Sequence, residues 1–88
     1  MKRKGFLNFT LGKVIKSRRT LKGIGQDRLA TDAGITIGYL SKVERGLVNP
    51  SYDKLYSIAI ALGTIPSSIS KEVEQEIGDI FLITVQEK

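Results

Sequence analysis

The 88-residue chain has no cysteine, no histidine and no tryptophan. Without cysteine there is no disulfide framework and no thiolate metal site, and without histidine the commonest metal ligand and the usual general base are both missing. No metal and no cofactor are expected. An enzyme would have to work with carboxylates and lysines, and neither Glu72, Glu74 and Glu76 nor Asp27 and Asp32 form a recognisable catalytic pair. The chain is read as a non-enzyme, with the acidic trio as a solvated face. Long apolar runs are also missing: Ile58 to Leu62 falls far short of the roughly 20 residues a bilayer requires. Met1-Lys-Arg-Lys could open an export signal, but Phe6-Leu-Asn-Phe9 supplies no adequate apolar stretch. These absences point to a reducing, cytoplasmic setting and away from a membrane.

What is present suits one small domain. A 41% hydrophobic content over this length supports a single core, because a chain this short buries only about 60 to 65% of its unfolded surface. The charge is segregated. Residues 1 to 54 carry 12 Lys/Arg against 4 Asp/Glu, whereas residues 55 to 88 carry 2 against 5. A basic half beside an acidic half suggests one surface for a polyanion and another kept away from it, although charges of this kind also serve solubility.

The periodicity predicts five short helices between residues 10 and 77. Leu11, Val14 and Ile15 set the face of a first helix over Thr10 to Lys22, with Gly23 placed to end it. Gly25 opens a second, with Asp27 in its first turn and Leu29, Ala30 and Ala33 on one stripe, and Gly34 closes it. Thr36 caps a third, in which Leu40 and Val43 face inward, and Gly46 terminates it. Ser51, following Asn49-Pro50, caps a fourth whose buried face is Leu55, Ile58, Ala59 and Leu62. Pro66 suits the first position of a fifth, along which Ile69, Val73 and Ile77 recur every four residues. Beyond Gly78 the β-branched run Ile80-Phe81-Leu82-Ile83-Thr84-Val85 reads as a short strand or buried tail, with Phe6 to Phe9 or a partner chain to pair with.

The segment QDRLATDAGITIGYLSKVERG places two short helices around a glycine-containing turn, which is the helix-turn-helix arrangement. Ala30 is small where the helices approach, Gly34 takes the turn conformation, and Leu40 plugs the pair onto the helices around it. On the third helix, residues 37, 38, 41, 42 and 45 share the side opposite Leu40 and Val43.

In order and spacing, LGKVIKSRR with Gly23, GQDRLATDAGIT, YLSKVERG, NPS, LYSIAIALG and PSSI resemble the Cro/C1-type (XRE-like) helix-turn-helix regulators over about residues 11 to 69. The resemblance implies an all-α, five-helix, lambda-repressor-like domain that binds double-stranded DNA sequence-specifically, is usually dimeric and is of bacterial or phage type. The expected division is an amino-terminal arm over residues 1–9, the DNA-binding domain over 10–70 and an extension over 71–88 for dimerisation or a partner, the resemblance itself not reaching Met1 to Phe9 or Ile77 to Lys88. Thr36, Ile37, Gly38, Ser41 and Lys42 match the positions that face the major groove. Gln26, which also braces the recognition helix, Arg45 and the loop at Asn49 match phosphate-contacting positions, and Tyr39 and Tyr52 could add phenol contacts. Arg19 and Glu44 match an ion pair bridging the first and third helices. Lys2, Arg3 and Lys4 read first as a solvated tail and second as an arm along phosphates.

One short helix reads few base pairs, so a homodimer acting as a repressor is expected. Its candidate interface is Ile69, Val73, Ile77, Ile80, Phe81, Leu82, Ile83 and Val85, the other possibility being a tail that folds back over Leu21. Tyr56 is assigned to core or dimer packing. Three alternatives share the domain: an antitoxin whose terminal strand holds a toxin, a restriction-modification controller, and an interaction module that does not bind DNA.

Overall fold

A computed structural model describes the backbone of residues 3–86 and the side-chain surroundings of residues 5–79. Five α-helices follow one another: α1 (Arg3–Leu21), α2 (Gln26–Ala33), α3 (Ile37–Glu44), α4 (Tyr52–Ala61) and α5 (Pro66–Gln86). The punctuation is local chemistry. The Thr36 hydroxyl accepts from the Tyr39 backbone N–H at 3.0 Å, and the Ser51 hydroxyl accepts from that of Lys54 at 3.3 Å, each relieving an unpaired donor at a helix start. Gly34 ends α2 at φ 69°, with its own N–H turned back to the Thr31 carbonyl and that of Ile35 to the Ala30 carbonyl. A side chain there would face the left-handed backbone penalty.

The core draws on every helix. Val14 and Ile15 of α1 meet Leu29, Ala30 and Ala33 of α2, Leu40 and Val43 of α3, Ile58 and Ala59 of α4 with the adjoining Leu62, and Ile69 and Val73 of α5. No described helix is long and apolar enough to cross a membrane. Helices α1 and α5 run antiparallel, as the order of their contacts shows. Arg18 donates to the Glu72 carboxylate at 2.9 Å and to the Ser68 carbonyl at 3.1 Å, while Lys13 lies 3.9 Å from Glu76 farther along. Glu72 and Glu76 are therefore not a merely solvated acidic face. They neutralise part of the basic half of the chain.

Several expectations at the two ends are corrected. Helix α1 begins at Arg3 rather than Thr10, so Phe6 to Phe9 are its early turns and not a strand. Likewise α5 passes through Gly78 and reaches Gln86, so the segment from Ile80 to Val85 is helical and not a strand, and residues 71–86 continue the helix that begins at Pro66. The physical reason is cooperativity: extending a formed helix adds one hydrogen bond per residue fixed, with no new nucleus. The four-residue recurrence of Ile69, Val73 and Ile77 also continues through Phe81 and Val85. Met1, Lys2, Glu87 and Lys88 lie outside the described residues, as do the side chains of Arg3, Lys4 and residues 80–86.

The expected dimer surface changes with this. Ile69 is 0% and Val73 8% exposed within their own chain, so both belong to the core and have almost no surface to give a partner. Ile77 is half-buried. Leu21 is 85% exposed, so no described segment folds over it, and Tyr56 is half exposed rather than in the core.

Candidate nucleic-acid interface

Helix α3 is anchored by one face and presents the other. Leu40, Val43 and Glu44 are buried, while Thr36, Ile37, Gly38, Lys42 and Arg45 are exposed and Ser41 is half-buried. The five exposed or half-exposed positions 37, 38, 41, 42 and 45 form one continuous strip. Nothing from the rest of the chain comes within 4 Å of where a Gly38 side chain would begin.

A polar lock holds the far end of this helix. Arg19 Nε and Nη2 donate to the two Glu44 carboxylate oxygens at 2.7 and 3.0 Å. The Arg19 Nη1 donates to the Ile24 carbonyl at 2.9 Å, and Gln26 Nε2 donates to Glu44 Oε1 at 2.9 Å. One carboxylate thus ties α1, α2 and α3 together. The fork-to-fork geometry makes these the strong kind of hydrogen bond. The hydrogen bond it donates to Glu44 holds the Arg19 guanidinium above its already high ordinary pKa, outweighing the opposing effect of burial. A group raised in this way contributes stability that is complete below its unfolded pKa and lost only as pH climbs through the folded value. Both lie far above neutrality, so this arginine adds no pH dependence near pH 7.

Gln26 is the residue whose place differs most from a plain phosphate contact. Its amide nitrogen is committed to Glu44 and the residue is half-buried, which leaves its second amide hydrogen as the donor it can turn outward. Arg45 bends back, donating from Nε to the Ser41 carbonyl at 3.3 Å, with the rest of its guanidinium exposed. The Thr36 hydroxyl oxygen accepts at the cap, which pins this side chain to the start of α3 and leaves its O–H as a donor. Asn49 is exposed and lies on a groove of about 270 Å³ with Leu7, Leu11, Leu55, Val73 and Ile77. Tyr52 is exposed at the first turn of α4.

Close backbone contact supplies the rest of the positioning, and sequence reasoning did not find it. Gly12 of α1 is buried against the end of α3, where an added methyl would come within 2.6 Å of the Glu44 carbonyl oxygen. Gly46, at φ 75°, is packed on α1 in the same way, 2.8 Å from the Phe9 Cα by the same construction. The available signal was Gly12 itself, a helix-weakening residue in the middle of an otherwise well-formed helix.

The charge pattern around α3 is equally telling. Among the described residues Lys13, Arg18, Arg19 and Arg28 sit in ion pairs, with Glu76, Glu72, Glu44 and Asp32 respectively. Lys42, Arg45 and Lys54 do not, and all three lie on α3, its cap or the start of α4. Among the described residues the other cations outside these ion pairs are Lys16 and Lys22 on or beside α1 and Lys71 on α5.

Residues 15–69 match the helix-turn-helix family. The chain belongs to that family, among the Cro/C1-type regulators. An uncharacterised HTH-type transcriptional regulator of Mycobacterium tuberculosis is 45% identical over 51 residues, covering 58% of this chain and 36% of that protein. The immunity repressor of Bacillus phage phi105 is 38% identical over 63 residues, covering 72% of this chain and 44% of the repressor. This helix-turn-helix chain thus spans less than half the length of either relative. In three dimensions it resembles the clp gene regulator ClgR from Corynebacterium glutamicum, with a TM-score of 0.74 and 33% identity over 80% of this chain and 91% of that one. The five-helix architecture is that of helix-turn-helix transcription regulators.

Proposed function

We propose that the chain binds double-stranded DNA sequence-specifically, as a dimeric transcriptional repressor, with α3 entering the major groove. The observation that carries this reading is the outward strip of Ile37, Gly38, Ser41, Lys42 and Arg45 on a helix whose other face and far end are locked into the core. An exposed helix held this rigidly supplies the pre-ordering that base recognition requires. Ile37 packs on a thymine methyl, Gly38 lets the backbone approach the groove floor, and Lys42 donates to guanine O6 or N7. None of these is a bidentate pair of the kind that discriminates by about 1 to 3 kcal/mol. A share of the specificity is therefore assigned to DNA shape. Arg45 and Asn49, with Tyr39 on the flank, contact phosphates and set the register.

An eight-residue helix is roughly 12 Å long and covers only a few base pairs. Two copies about 34 Å apart, one turn of the duplex, are the economical solution. The dimer contact is assigned to α5 from Ile77 through Ile80, Phe81, Leu82, Ile83 and Val85, because Ile69 and Val73 are occupied by the core. The repressor role is supported by the likeness to a phage immunity repressor. Selection of bound fragments from random duplex DNA tests the whole reading. A palindrome with half-sites about one turn apart is expected; failure to enrich any sequence contradicts it.

A further inference from the structure

The turn between α2 and α3 and the first turn of α4 enclose a recess of about 480 Å³, lined by Gly34, Ile35, Thr36, Tyr39 and Lys54. We infer that this recess seats one backbone phosphate of the bound duplex, held by the Lys54 ammonium and the Tyr39 hydroxyl. The inference rests on the DNA-binding reading and adds to it a residue, Lys54, on a helix outside the helix-turn-helix pair.

Lys54 is exposed and in no ion pair among the described residues, although four other cations of the basic half are neutralised. Its backbone is fixed by the hydrogen bond to the Ser51 hydroxyl, so its stem departs from a rigid turn. Tyr39 is half-buried and packs its ring against the core, which fixes where its hydroxyl can sit. The Thr36 hydroxyl oxygen accepts at the cap of α3 and keeps its hydrogen to donate, so the recess offers a cation, a phenol and this hydroxyl as its side-chain donors. A compact ammonium beside a neutral O–H suits a phosphate oxygen.

Position decides the source of that phosphate. The recess adjoins the end of α3 that carries Ile37 and Gly38, whereas Arg45 and Asn49 lie beyond the opposite end. Those ends are separated by roughly 12 Å of helix, close to the width of the major groove, about 12 Å. Anchors at both ends of α3 hold both walls of the groove, and Lys54 adds to Tyr39 the cation that the first turn of α3 lacks.

The test uses the full chain and a duplex recovered with the wild-type protein from random DNA, with binding measured over a range of salt. Lys54→Gln should lower the slope of log affinity against log salt by about 0.9, the value of one released counterion, and leave the ranking of base-substituted duplexes unchanged. Lys16→Gln, an exposed unpaired lysine on α1, should leave the slope at its wild-type value. One neutral methylphosphonate linkage should weaken the wild type and have no effect on Lys54→Gln. An unchanged slope for Lys54→Gln, a changed base ranking, or the absence of such a linkage overturns the phosphate seat while leaving DNA binding intact. Wild-type protein that ignores duplex DNA overturns both.

Discussion

Gly12 and Glu44 are in backbone contact: a methyl group on Gly12 would lie 2.6 Å from the Glu44 carbonyl oxygen, with the Val43 carbonyl closer still. The end of the recognition helix therefore rests directly on the backbone of α1. Since both obstructing atoms belong to the main chain, neither can rotate aside. Gly12→Ala should destabilise the fold by about 1 to 3 kcal/mol, as overpacking does, in spite of alanine's better helix propensity. A thermal or urea melt reads this directly, and an unchanged midpoint would mean that α1 and α3 separate freely.

Glu44 carries a second restraint through its side chain. It is 7% exposed, and its carboxylate accepts from Arg19 and Gln26. Glu44→Ala strands the Arg19 guanidinium in a buried site and should cost about 3 to 5 kcal/mol. Gln26→Ala removes one hydrogen bond at the edge of the same cluster and should cost about 0.5 to 1.5 kcal/mol. Chemical denaturation of both variants checks the order; equal losses would contradict the central role given to the carboxylate.

Gly38 is the opposite case from Gly12. It stands in open space on an ordinary helical backbone, absent from the positive-φ glycines. Gly38→Ala should raise stability by about 0.5 to 1 kcal/mol and weaken or redirect DNA binding, because the methyl enters the groove. Gain of stability with unaltered binding would remove Gly38 from the interface.

Ile69 separates core from dimer contact. Fully buried in its own chain, it should cost about 2 to 5 kcal/mol on replacement by alanine, with a midpoint shift that persists at protein concentrations where the chain is monomeric. Loss of dimer with an unshifted monomer melt would return Ile69 to the interface.

The interior of the fold was legible because its boundaries are set by local chemistry. Thr36 and Ser51 as caps, Gly34 and Gly46 as stops, and the spacing of Leu40 and Val43 each act within a few residues. The ends were read less well because their structure is decided by the helix each one extends rather than by their own composition. Phe6 to Phe9 and Ile80 to Val85 have strand-like composition, yet each continues a helix already formed, and the α1 and α5 bodies to which they attach are paired through Arg18 with Glu72 and Lys13 with Glu76. Separations of more than fifty residues leave no local pattern. The same distance effect hid Lys54, which joins Tyr39 only across two helices, and Gly12, whose partner is a carbonyl rather than a side chain.

That the free face of α3 enters a duplex is tested most directly by titrating isotopically labelled protein with the selected duplex and following backbone amide shifts. The largest changes should fall at Ile37, Gly38, Ser41, Lys42 and Arg45, with the core positions Ile15 and Ile58 nearly still. Changes confined to α5, or none at all in roughly 50 mM salt, where phosphate contacts bind far more tightly than at physiological salt, would contradict the account.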